Sequence, residues 1–294
     1  HDGERFPHNG HAISELIGNK SLFLDNECDT CNKKFGRNLE DQFAKYLDPA
    51  RSIAQTIGKT GIPSYKSNDG AFRIDVTETE TIIQDVMESG RAEIFDDHID
   101  FHLTKQTYTP IAAFKALVFM ALSIMPEEEF RIFSTAVDWI NEESQEISKY
   151  DMSDYAAHVI ERFVPGPKPL PIQAFVARRK VGVYDAPYCF FVLEFDNFSF
   201  QIMIPCPEKD GVLWGKKITT FVFPSTYDIY EQEFKKYGYA GLAIKDMSKR
   251  TRNVAEECNM TIGFTAKIED ESIKGKSTEE VAKEHGVKPI VIRK

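Results

Sequence analysis

The stretch His11 to Gly36, HAISELIGNKSLFLDNECDTCNKKFG, constrains the chain more than any other. Its centre is Cys28-Asp-Thr-Cys31, and two thiolates at C-x2-C spacing can grip one zinc ion from a tight knuckle. Two short apolar segments precede the knuckle, joined by a Gly18-Asn19 turn. An amphipathic pattern begins at Asn32. Leu39, Phe43, Tyr46 and Leu47 continue it at helical spacing until Pro49. The expected unit is two strands and a helix, stapled by zinc. Such a fold would bring His11 and Asn32 together although the sequence separates them.

Two cysteines do not complete a zinc site, and the ligand set stays open at this point. His8-x2-His11 with Cys28-x2-Cys31 makes an N2S2 set of workable spacing, in which His11 would be a structural ligand. Two reduced thiols are the plainest alternative.

The combination resembles the cysteine-bearing branch of the HNH, or ββα-metal, endonucleases. That pattern runs roughly H-I-I-P-x-x-L-G-[GN], then E-C-x-x-C-N-x-x-F-G. Here the first part is His11-Ala-Ile-Ser-Glu-Leu-Ile-Gly18-Asn19, and the second is Glu27-Cys28-Asp-Thr-Cys31-Asn32-Lys-Lys-Phe35-Gly36. The chain departs from the pattern at Gly10, where an acidic residue is usual. It also has no earlier C-x2-C, and Asn26 is the nearest counterpart of the middle asparagine. The likeness covers about the first fifth of the chain.

The resemblance implies a general base at His11, since neutral imidazole can take a proton from water near pH 7. Asn32 would position a catalytic magnesium or manganese ion, its amide oxygen suiting a hard cation. Cys28 and Cys31 would hold structural zinc, with His8 a candidate further ligand. Glu15 could assist the catalytic cation. The implied substrate is nucleic acid, with DNA expected, and large extra domains on such proteins resemble restriction or phage-defence effectors. The opposing expectation is a non-catalytic zinc-knuckle binding protein carrying a degenerate HNH unit.

A chain of 294 residues calls for more than one compact unit. The divisions expected are a ββα-metal unit at 1–60, a mainly helical region at 71–164 and an α+β domain with antiparallel strands at 172–294, an α+β chain throughout. Thr60 to Gly70 and the proline-rich Pro165 to Pro171 are the expected joints. Strands are expected at Ala71–Val76, Ile94–Leu103, Ile172–Val183, Tyr188–Phe195, Phe198–Ile204, Ile218–Phe223 and Met260–Ile268. Asp196-Asn197 should turn a hairpin. Helices are expected from Pro110, from Pro126, over Ser153–Phe163, over Tyr227–Tyr237 and after the Ser277–Glu280 capping box. On the Ile94–Leu103 strand, His98, Asp100 and His102 share one face, a polar surface that could also ligate metal.

The net charge of −10 is unusual for a protein that binds phosphates, so any nucleic-acid surface must be a local basic strip. Lys33, Lys34 and Arg37 beside the knuckle are the first candidates. Arg178-Arg179-Lys180 and Lys245 to Arg252 read as solvated surface. Five cysteines do not make a disulfide framework, and Cys189, Cys206 and Cys258 read as buried and inert. The longest apolar run, Ile111 to Met125, is too short for a bilayer. No membrane partner is expected, the setting expected is cytoplasmic, and residues 71–294 could serve a homodimer or a partner protein.

Overall fold

The computed structural model describes residues 10–24, 29–76, 80–85, 89–142, 144–146, 148, 157–166, 170–183, 185–213, 221–229, 241–253, 256–263 and 289–293. The first elements are strands β1 (Gly10–His11) and β2 (Phe23–Leu24), paired antiparallel with His11 opposite Phe23. Ala12 N donates to Leu22 O at 3.0 Å and lengthens the hairpin. Helix α1 (Asp29–Phe35) follows and runs through a π-helical turn, Gly36–Glu40, into α2 (Asp41–Leu47). Asp41 N donates to Gly36 O, the i+5 bond of that turn. Phe35, Leu39, Phe43, Tyr46 and Leu47 are buried, the stripe the spacing predicts. The helix begins before Asn32 and takes in Cys31.

Helix α3 (Ala50–Ile53) leads to β3 (Tyr65–Lys66), β4 (Phe72–Val76), β5 (Glu80–Asp85), β6 (Ala92–Ile94) and β7 (His98–Thr104). The β3–β4 turn closes through Ser67 N, which donates to Phe72 O at 2.8 Å.

Helix α4 (Pro110–Ser123) opens on proline, as expected, and every residue from Pro110 to Leu122 is buried. Helix α5 (Glu127–Phe130), a 3₁₀ turn at Arg131–Phe133 and α6 (Ser134–Ile140) make the second helical run. Next come β8 (His158–Phe163), β9 (Leu170–Arg178), β10 (Cys189–Asp196), β11 (Phe198–Met203), α7 (Pro207–Asp210), α8 (Thr226–Ile229) and β12 (Gly241–Asp246). The five strands form one antiparallel sheet in the order β12-β8-β11-β10-β9. Asp196-Asn197 does turn the β10–β11 hairpin, with Phe195 opposite Phe198. Asp196 takes a left-handed φ of 47° there, as such two-residue turns require.

Two expectations fail in this region. Residues 158–163, read as helix, are a strand inside the sheet. Their apolar residues fit either period, and pairing with β11 and β12 decides it. Phe221–Phe223 is not a strand, because the Gln201 side chain bonds both Phe221 O and Phe223 N and replaces a neighbouring strand.

Strands β13 (Glu257–Gly263) and β14 (Pro289–Arg293) complete two further antiparallel sheets, β13-β7-β6 and β14-β5-β4-β3. Tyr65, Phe72, Ile74 and Ile83 from one sheet share a core with Ile99, Phe101 and Leu103 from the other. The Tyr65 hydroxyl donates to Thr104 O at 2.8 Å. The continuations expected after Ile229 and Gly263, and the helix after Ser277, lie outside the described residues.

The chain thus forms two compact units. One is His1–Tyr46 with Tyr108–Asn253, the other Leu47–Thr107 with Val254–Lys294. The divisions 1–60, 71–164 and 172–294 do not coincide with them, and 71–164 is as much strand as helix. Turn-forming residues mark local breaks in the chain. The units are set by pairing between distant segments such as β7 and β13, which local composition does not show.

Candidate active site on the N-terminal hairpin

His11 is held by its own loop. After β1, Ala12 and Ile13 turn into the core, and Ser14 caps a 3₁₀ turn, Glu15–Ile17, by accepting from Leu16 N. Gly18 ends the turn at φ 90°, a conformation that favours glycine. The buried Asn19 amide then ties the loop together. Its nitrogen donates to Ile13 O at 2.5 Å and Leu22 O at 3.0 Å, and its oxygen accepts from Ser21 N at 3.2 Å and Leu22 N at 3.0 Å. The sequence shows Asn19 only as a turn residue. That its side chain would use donor and acceptor ends at once needed the hairpin register.

The loop returns Glu15 to His11, with Nε2 3.5 Å from Glu15 Oε2. Each side chain is about a quarter exposed, 24% and 25%. Across the hairpin, the Phe23 ring lies 4.8 Å from the imidazole at 43°. His11 Nδ1 is enclosed and has no hydrogen-bond partner among the described residues.

Cys31 and Asn32 both lie on α1 and are partly buried. That helix is anchored by Phe35 against Phe119 of α4, ring centroids 4.4 Å apart. Farther along, Phe43 and Tyr46 meet Phe200 of β11 at 5.8 and 6.1 Å. Of the four-ligand zinc set, Cys28 and His8 lie outside the described residues. Among the described residues, no three His, Cys, Asp or Glu side chains gather as a metal site. The donor types fit the two ions differently, a thiol for zinc at Cys31 and an amide oxygen for a hard cation at Asn32.

Among the described residues the second candidate does not gather as a metal site. His98, Asp100 and His102 do face outward from β7 while Ile99, Phe101 and Leu103 face inward. The neighbouring Asp97 Oδ1 meets His98 Nδ1 at 2.6 Å, and Asp100 Oδ1 accepts from Thr261 at 2.6 Å while its Oδ2 lies 3.8 Å from His98 Nε2. Phe95 stacks on His98 at 4.4 Å.

The cations divide sharply. Lys33 and Arg37 are exposed on the helix, whereas Lys34 Nζ donates to Asn141 O at 2.5 Å. Lys115 pairs with Glu142 at 3.3 Å, and Arg250 reaches Gln145 O at 3.4 Å. Three cations therefore pin the stretch after α6. Arg178 pairs with Glu129, and Arg179 bridges Asp210 at 3.0 Å and the carbonyls of Ala186 and Lys209 at 2.7 Å. Lys180 is exposed. Cys189 and Cys206 are buried, and burial pushes both thiols up to about 12, so they are inert as nucleophiles near neutral pH.

Among the described residues no helix is long and apolar enough to cross a membrane. Comparisons with protein-family models, with curated proteins and with solved structures found no match for the chain.

Proposed function

We propose that the chain is a metal-dependent endonuclease of the HNH type, hydrolysing phosphodiester bonds of nucleic acid, with DNA the first substrate to test. The observation that carries the reading is the arrangement of three elements: an antiparallel hairpin with histidine on its first strand, then a helix bearing Cys31 and Asn32. The reading includes structural zinc on Cys28 and Cys31 and a service in restriction or phage defence.

In this reading His11, as neutral imidazole, takes a proton from the attacking water. Asn32 would hold a divalent cation with waters and phosphate oxygens, and the cation's charge would stabilise the leaving oxygen. Lys33 and Arg37 would meet phosphates along the helix.

Supercoiled-plasmid nicking in magnesium or manganese tests it. The parent should nick, and His11→Ala should lose about 10²- to 10⁴-fold of the rate, the usual contribution of a general base. No nicking by the parent, or equal nicking by both proteins, would leave the hairpin a non-catalytic staple.

A further inference from the structure

Phe23 is an aromatic ring that the fold leaves about half in solvent. It is 46% exposed, on the strand opposite His11. One flank of the ring meets the imidazole, centroids 4.8 Å apart and planes inclined at 43°, a tilted contact that does not cover the ring. A large apolar side chain left open singly is ordinary. This one is open directly beside the proposed base. The loop that leads into it is held by the buried Asn19 amide, which bonds both Leu22 O and Leu22 N. A ring held in place beforehand loses little freedom when something stacks on it.

The charges point the same way. Duplex binding rests largely on phosphate contacts from Lys and Arg. The chain carries a net charge of −10, and Lys34 is committed to Asn141 O, leaving Lys33 and Arg37 exposed on the helix. Stacking of a base on an aromatic face supplies affinity without cations. Inside a duplex both faces of every base are covered by its neighbours. A ring on the protein surface can therefore use only a base that is unpaired or drawn out of the stack. We propose that Phe23 is a substrate-binding platform that stacks an unpaired base beside His11, so that the site acts on single-stranded or locally unpaired nucleic acid rather than on intact duplex. This rests on the nuclease reading above. A base stacked there leaves its flanking phosphates about one nucleotide or less from the imidazole.

The test compares strands and side chains. In magnesium, the full chain should cut a fluorescein-labelled single-stranded oligonucleotide, and the unpaired arm of a flapped duplex, faster than the perfect duplex of the same sequence. Equal or faster cutting of the perfect duplex overturns the proposal. Binding is followed separately by fluorescence anisotropy of labelled oligothymidylate without divalent ions. Phe23→Leu keeps an apolar side chain against the imidazole and removes the aromatic face. It should bind about 5- to 150-fold more weakly than the parent, the worth of one stacked base. Phe23→Trp should bind at least as well as the parent. Leu22→Ala, which trims a neighbouring apolar side chain 45% exposed, should bind like the parent. No binding of oligothymidylate by the parent, undiminished binding by Phe23→Leu, or an equal loss in Leu22→Ala overturns the proposal. Failure of the nuclease reading looks different: the parent cuts none of the three substrates, while the anisotropy still decides whether Phe23 stacks a base.

Discussion

Lys115 offers the most quantitative test of how the first unit is held together. It lies on α4 with no exposed side-chain surface, its ammonium 3.3 Å from Glu142 and 4.8 Å from the Trp139 ring centroid. Burial pushes its pKa down from 10.5 to about 8, Glu142 opposes the fall, and Arg250 and Lys34 add to it. The folded value is below the unfolded one, so the folded lysine releases its proton first. Stability therefore rises with pH between about 8 and 10.5, and below that window holding the charge costs on the order of 3 kcal/mol.

Glu142→Gln removes the opposing charge and leaves the ammonium facing Lys34 and Arg250. The damage has a ceiling, because the lysine can simply deprotonate. Neutralising a lysine of pKa 10.5 costs roughly 4 kcal/mol at pH 7.5 and roughly 7 kcal/mol at pH 5.5. After the cost already present, the charge part of the loss is at most on the order of 1 kcal/mol at pH 7.5 and several kcal/mol at pH 5.5. Trp139 lies in the first unit beside the ammonium, so urea unfolding followed by tryptophan fluorescence reports on it. The variant should fall progressively further below the parent as pH drops from 7.5 to 5.5. Adding Lys115→Met should abolish that trend. A loss independent of pH, or larger at pH 7.5, would refute the reasoning.

Asn19→Ala deletes four hydrogen bonds around a buried amide and should cost about 2–4 kcal/mol, read as faster hydrogen exchange at Ser21 and Leu22; unchanged protection would remove Asn19 from its role as tie. Protein purified without chelator should carry one zinc per chain and lose it in Cys31→Ser; metal analysis finding none would end the knuckle assignment. With Lys34 committed to Asn141, Lys33 and Arg37 remain for phosphate, so duplex binding should fall with a log–log salt slope near −1.8, that is about 0.9 per contact. A slope several times steeper would place the nucleic-acid surface elsewhere.

How much of this was legible depends on the range of the interaction that fixes each element. The helix from α1 into α2 follows from the spacing of Leu39, Phe43 and Tyr46, and α4 from Thr109-Pro110. Asp196-Asn197 announces its hairpin because the turn is local chemistry. What stayed hidden is long-range. HVIERF at 158–163 becomes a strand only because β11 and β12 lie on either side. Lys34 looks like a free cation until Asn141, far along the chain, takes its ammonium. At the candidate site, Cys31 was readable from its C-x2-C spacing, whereas His11 and Asn32 were singled out by the resemblance to the HNH pattern. The pairing of His11 with Glu15 depends on a 3₁₀ turn capped by Ser14 and closed by Gly18, and no periodicity encodes that.

The hairpin's order has a further consequence for the role of metal. Strands of two residues cannot hold themselves in water, and small zinc modules meet that problem by making the ion their core, so they unfold without it. Here the core comes from elsewhere. Ile13 and Ile17 are fully buried, Asn19 satisfies the loop's backbone from inside, and Phe35 fixes α1 on α4. Burying two isoleucine side chains supplies about 3–6 kcal/mol, comparable to the ordering cost of a few loop residues at about 1–2 kcal/mol each. His11 is consequently positioned by packing and by one asparagine, in a loop whose geometry does not wait for an ion. Zinc bound at the cysteines would then tune the start of α1, where Cys31 and Asn32 sit, and the hairpin would bring the base. On the nuclease reading the two halves of the site would be held by different physics, so a loss of metal and a loss of Asn19 should leave different signatures.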